Sequence, residues 1–115
     1  MQSEPVRVLI VEDVTHQREA LRDHFRAFPE QIIVVGEARN AEQALRLAMD
    51  EAPDVVLLDL GLPRRDGVRE KKEVAVGLGT IVEMRQECPS SAILVLTVDN
   101  EPDTVWVALR FGAQG

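Results

Sequence analysis

The strongest constraint on the fold is an alternation. Short runs rich in β-branched residues take turns with longer amphipathic stretches. Val6 to Val11 (VRVLIV) is a nearly continuous apolar run, the mark of a strand covered on both faces. Ile32 to Val35 predicts a second strand, closed by Gly36. Val55 to Leu58 (VVLL) predicts a third, ending at Asp59, and Ala92 to Val98 (AILVLTV) a fourth. Thr15 can cap a helix through about Phe28, with Leu21, Phe25 and Phe28 on one stripe and Pro29 ending it. Asn40 caps the next helix, with Gln43 at its third position as a variant capping box. Ala44, Leu45, Leu47 and Ala48 form its buried face, and Pro53 lies just past its end. A third helix is clearest from Thr80 to Glu87, because two glycines between Arg69 and Gly79 weaken the helical pattern there. A last helix runs from near Pro102 to Phe111, capped by Asp99 or Asn100, with Gly112 at its left-handed end.

Strands joined in turn by helices must be parallel, with right-handed crossovers and helices on both faces of the sheet. The expected fold is α/β, a flavodoxin-like doubly wound parallel sheet of order 2-1-3-4. At 115 residues the chain fits one domain and can bury a real core without staples. A net charge of −7 argues against nonspecific nucleic-acid binding. Cys88 is the single cysteine, so neither an internal disulfide nor a Cys-based zinc site can form. The apolar runs are far too short for a membrane span, and Met1 to Pro5 has no signal-peptide character. A soluble, cytoplasmic domain that binds neither nucleic acid nor membrane is expected.

In such folds chemistry sits outside the carboxyl ends of the strands, at the topological switch point. There the first strand ends in Glu12-Asp13 and the third in Asp59. The two strands are neighbours in this order, so three carboxylates should converge. Like charges that close repel unless a cation sits among them, and a hard ion such as Mg²⁺ is the natural answer. Acidic residues also follow strands as ordinary turn residues, but three at matched positions weaken that reading. The fourth strand adds Thr97, whose hydroxyl could donate to an anionic group on Asp59; alone it is an ordinary strand residue. After Asp59, Gly61 lets backbone approach an ion, Pro63 stiffens the loop, and Asp66-Gly67 makes a turn.

VLIVED ending at Asp13, PDVVLLDLGLPRRDG from Pro53 to Gly67, ILVLT ending at Thr97 and the closing ALRFGAQG stand in one order across nearly the whole chain. Together they resemble the receiver domain of bacterial two-component response regulators. The resemblance implies that Asp59 accepts a phosphoryl group from the phosphohistidine of a sensor histidine kinase. It implies that Asp13 touches Mg²⁺ directly, Glu12 acts through water, and the Gly61 carbonyl completes the protein ligands. Thr97 matches the switch hydroxyl that moves toward the phosphoryl group. An output domain, most commonly DNA-binding, and a regulatory rather than enzymatic role are further implications. The chemistry agrees, since phosphoryl transfer needs an in-line carboxylate and a cation to neutralise the moving charge.

Two departures stand out. The family carries a lysine at the end of a fifth strand, whereas Lys71 and Lys72 are the only lysines here and both come after the third strand. The expectation is a receiver over residues 1–115 lacking its fifth strand, last helix and output domain, with no catalytic lysine. Its fourth strand would be a bare edge, inviting homodimerisation or exchange of elements. The stretch from Arg69 to Gly79 is also longer than usual, and its mixed charges predict a solvated surface. His16 and His24 lack metal-ligand company, Arg64 and Arg65 rim the site, and Trp106 is core or an exposed signalling anchor.

Other functions use parts of this pattern. A Mg²⁺-dependent aspartate-nucleophile phosphatase places a second Asp two residues after the first, where this chain has Gly61. A flavodoxin would need a phosphate beside the acidic Glu12-Asp13 loop. A pseudo-receiver, acting as a scaffold without phosphorylation, is the alternative for a chain without the lysine.

Overall fold

The computed structural model describes residues 4–59, 65 and 73–96. Its elements are β1 (Val6–Val11), α1 (Thr15–Arg26), β2 (Ile32–Ala38), α2 (Ala41–Glu51), β3 (Val55–Asp59), α3 (Glu73–Glu87) and β4 (Ala92–Leu96). The strands form one parallel four-stranded sheet in the order β2-β1-β3-β4, as the alternation demands.

Side chains alternate across the pleat, and the two faces of the sheet collect different helices. Leu9, Val11, Val56, Leu58 and Ile93 face α2 and α3, where they pack with Ala44, Ala48, Ile81 and Met84. Val8, Ile10 and Leu57 form the other face, covered by Leu21 and Phe25 of α1. Leu9, Ile10, Leu58, Ile81 and Ile93 are fully buried, each worth about 1.5–3 kcal/mol of transfer free energy. Phe28, assigned to the same stripe, is instead 45% exposed, because α1 stops two residues earlier at Arg26.

Three local details correct the sequence expectations. Gly36 does not close β2; the strand continues to Ala38, and the register against β1 slips at this point, from Val8↔Val34 to Leu9↔Gly36. Glycine suits the slip, since a Cβ at position 36 would stand 3.2 Å from Leu9 Cδ1 and 3.5 Å from Leu47 Cδ1. Thr15 is not a cap but the first residue of α1; Val14 holds the cap position and makes no side-chain cap bond. Finally, α3 begins at Glu73 and runs straight through Gly77 and Gly79. Burial of Gly77, Thr80, Ile81 and Met84 outweighs the roughly 1 kcal/mol helical penalty of each glycine.

The Asn40 cap forms as expected. Its Oδ1 accepts from Gln43 N at 2.8 Å, and Gln43 Oε1 reaches back to accept from Arg39 N at 3.1 Å. Ala52 ends α2 in the left-handed conformation at φ 45°, ahead of Pro53. No helix among the described residues is long and apolar enough to cross a membrane. Gly61, Arg64, Lys71, Lys72, Thr97 and the expected fourth helix with Trp106 lie outside the described residues. β4 stands last in the order of the described strands, and the remainder of the expected fourth strand, Thr97 and Val98, lies outside the described residues.

Candidate functional site

β1 and β3 are hydrogen-bonded neighbours, with Val11 opposite Leu58, so the residues just past them share the carboxyl edge of the sheet. Helices leave from here toward opposite faces, α1 after β1 and α3 after β3. This is the switch point of the strand order.

Glu12 is held at that edge by several bonds. Its amide donates to Ala38 O at 2.9 Å, carrying the β1–β2 pairing one residue further. Its carbonyl accepts from Arg18 Nη1 at 2.9 Å, and its Oε1 accepts from Val14 N at 3.2 Å. The residue is 6% exposed. Asp13 and Asp59 are half-buried beside it, and one carboxylate oxygen from each of the three lies within 4.8 Å of the others.

That crowding shows in the acidity of Glu12, which is pushed up to about 7. Burial is the largest cause, then the charge of Asp59; a hydrogen bond shared with Asp59 and the charge of Asp13 add to it. The Val14 N–H pulls the other way without prevailing. Near neutrality Glu12 therefore still holds a proton part of the time.

The donor set suits a small hard cation. Its ligand atoms are carboxylate oxygens, and an ion such as Mg²⁺ takes one or two of them and keeps water elsewhere. Thus the structure brings Glu12, Asp13 and Asp59 together as the sequence predicted, while Gly61 and Thr97 fall outside the described residues. In sequence Thr97 comes directly after Leu96, which stands opposite Asp59 in the β3–β4 register. His16 and His24 are both exposed on α1; His24 makes edge contacts with Phe25 and Phe28, which suits a surface role.

Sequence reasoning missed two ion pairs at this edge, both to Glu37. Arg18 Nε lies 3.6 Å from Glu37 Oε1, and Arg22 Nη1 lies 3.8 Å from Glu37 Oε2. A single arginine one turn into a helix that starts beside an acidic pair was the available signal.

A doubly wound α/β domain with an acidic centre at its switch point is thus the class that fold and site define. Residues 8–115 match the response regulator receiver domain family. The nitrate/nitrite response regulator protein NarL of Escherichia coli (strain K12) is 35% identical over 112 residues, which cover 97% of this chain and 47% of NarL. Protein-glutamate methylesterase/protein-glutamine glutaminase 4 of Myxococcus xanthus (strain DK1622) is 33% identical over 114 residues, covering 98% of this chain and 29% of that enzyme. Among solved structures, the signal receiver domain of the response regulator NarL from Mycobacterium tuberculosis superposes with a TM-score of 0.80 at 30% identity. That likeness covers 96% of this chain and 81% of the other. The chain belongs to the response regulator receiver domain family. It spans about half of NarL and under a third of the methylesterase.

Proposed function

We propose that this domain is a Mg²⁺-dependent phosphoacceptor in which Asp59 takes a phosphoryl group from a sensor histidine kinase and thereby regulates an output domain, of the transcriptional kind that NarL exemplifies. The observation that carries the reading is the convergence of Glu12, Asp13 and Asp59 within 4.8 Å at the switch point.

Asp59 is the nucleophile. It ends β3 opposite Leu96 of β4, directly after Leu58, which pairs with Val11 of β1, so its carboxylate projects from a rigid strand rather than a loose loop. A carboxylate oxygen attacks phosphorus, the N–P bond of the phosphoimidazole breaks, and the leaving nitrogen keeps the electron pair and takes up a proton. Water later cleaves the acyl phosphate and returns Asp59 to a carboxylate. Asp13 would hold the cation directly, Glu12 through water, and Gly61 through its carbonyl. Bound there, Mg²⁺ supplies neutralisation of the charge on the phosphoryl oxygens. Glu12, whose acidity burial and Asp59 push up to about 7, would have to be ionised to act as a ligand, so occupancy of the site would depend on pH. Thr97 is the hydroxyl that reaches toward the phosphoryl group.

The test is intact mass after incubation with a small phosphodonor, with and without Mg²⁺, beside Asp59→Asn. One phosphoryl gain that requires Mg²⁺ and vanishes in the variant is expected. No gain in a protein still folded by circular dichroism would overturn the proposal and favour a scaffold that works by contact alone.

A further inference from the structure

Arg18 stands at the start of α1 with its side chain 14% exposed, and it joins three elements. Its amide donates to Val14 O, its Nη1 donates to the Glu12 carbonyl at 2.9 Å, and its Nε lies 3.6 Å from Glu37 Oε1 near the end of β2. Glu37 is held from the other side by Arg22 at 3.8 Å. The guanidinium is therefore anchored at one end by a carboxylate on β2 and spends its opposite edge on the backbone of Glu12. A planar fork with five donors can make both contacts at once, which an ammonium cannot do with the same fixed geometry.

The Glu12 carbonyl is the hinge between β1 and the turn that carries Asp13. The Glu12 amide is pinned to Ala38, so rotation of that peptide would leave Glu12 in place and swing the Asp13 side chain away from Asp59. We infer that Arg18, anchored by Glu37, is a positioning residue that fixes the Glu12–Asp13 turn so that the acidic cluster presents its oxygens to a divalent cation. This rests on the proposed Mg²⁺ site, and it assigns the site's affinity in part to residues outside the cluster.

Charge and geometry make opposite demands here, which gives the inference a sign. A cationic side chain near a cation site repels the ion, so a merely electrostatic Arg18 would weaken Mg²⁺ binding, and removing it would strengthen binding. A positioning Arg18 does the reverse. A role confined to folding would lower thermal stability with no change in affinity.

The experiment is Mg²⁺ titration by calorimetry of the wild type, Arg18→Met, Arg18→Lys and Glu37→Gln, with thermal melting of each in parallel. Arg18→Met should raise the Mg²⁺ half-saturation about ten-fold, the usual scale for partners that orient metal ligands. Arg18→Lys, which keeps a donor for the Glu12 carbonyl, should recover affinity to within about three-fold of wild type. Unchanged or tighter Mg²⁺ binding by folded Arg18→Met would overturn the inference, as would a lysine variant no better than methionine. If Arg18→Met does not fold, Glu37→Gln decides: about a three-fold weakening supports the anchor, and unchanged binding removes it. Absence of Mg²⁺ binding in the wild type would instead overturn the proposed site itself, and this inference with it.

Discussion

The two ends of β1 handle charge in opposite ways. At the amino end Arg7 N donates to Asp54 Oδ2 at 2.9 Å, while Arg7 Nη1 donates to the Glu51 and Ala52 carbonyls at 2.6 and 3.1 Å. Arg7 Nη2 also meets Glu51 Oε2 at 3.3 Å, so one cation satisfies the last carbonyls of α2 and a nearby carboxylate. At the carboxyl end, where the same strand gives way to the α1 turn, Glu12 and Asp13 crowd against Asp59, and Glu12 is forced toward neutrality. One end is built for stability. The other carries a strain that folding alone does not reward, and that the proposed cation would relieve.

Stability measurements test this contrast, and the largest effect should come from the metal. Saturating the acidic end with Mg²⁺ at about a hundred times Kd should stabilise the fold by about 2.7 kcal/mol. For a domain of this size that is a rise in Tm on the order of 10–20 °C. A melting curve indifferent to Mg²⁺ would erase the contrast.

Next comes Asp59→Asn, which removes the second-largest cause of the Glu12 shift. Without metal at neutral pH it should stabilise the protein by ~1–2 kcal/mol, seen as a higher urea midpoint at unchanged m value. A lower midpoint would mean that the cluster is not under repulsion.

Glu12 should also give the metal-free protein an inverted pH dependence. Its folded pKa of about 7 exceeds its ordinary value of 4.5, so its contribution to stability is fully present below pH 4.5 and is lost as pH rises through 7. Compared with Glu12→Gln from about pH 4.5 to about pH 8, the wild type should lose on the order of 1 kcal/mol or more. A difference that is flat in pH would contradict the assignment.

The smallest effect belongs to the amino end. Arg7→Met should cost about 1 kcal/mol, because its ion pair is 40% exposed and its carbonyl contacts are partly solvated. Its Mg²⁺ half-saturation should not move. A shift there would show that the two ends are coupled.

The range of the interactions explains why some of this was legible in the sequence and some was not. The strands of VRVLIV and VVLL announce themselves because a strand buried on both faces needs nearly every side chain apolar. The cluster of Glu12, Asp13 and Asp59 came from strand order alone, since adjacent parallel strands bring their carboxyl ends together. The Asn40 cap was readable because its bond to Gln43 spans three residues. The extent of β2 was not, for the Gly36 slip is decided by Leu9 and Leu47, distant in sequence. Likewise α3 starts earlier than its glycines allow by propensity, because packing against α2 and the sheet decides it. Arg18 escaped notice for the same reason: its partners on β2 and at the end of β1 meet it only in the folded chain.

The central claim is that the strained end of β1 exists to let Asp59 carry a phosphoryl group. Its most direct test is to treat the protein with a small phosphodonor, reduce the acyl phosphate with borohydride, and map the reduced residue by peptide mass spectrometry. Reduction confined to Asp59, present with Mg²⁺ and absent without it, is the predicted result. Reduction at another carboxylate, or none in a protein that takes up phosphoryl groups, would contradict it.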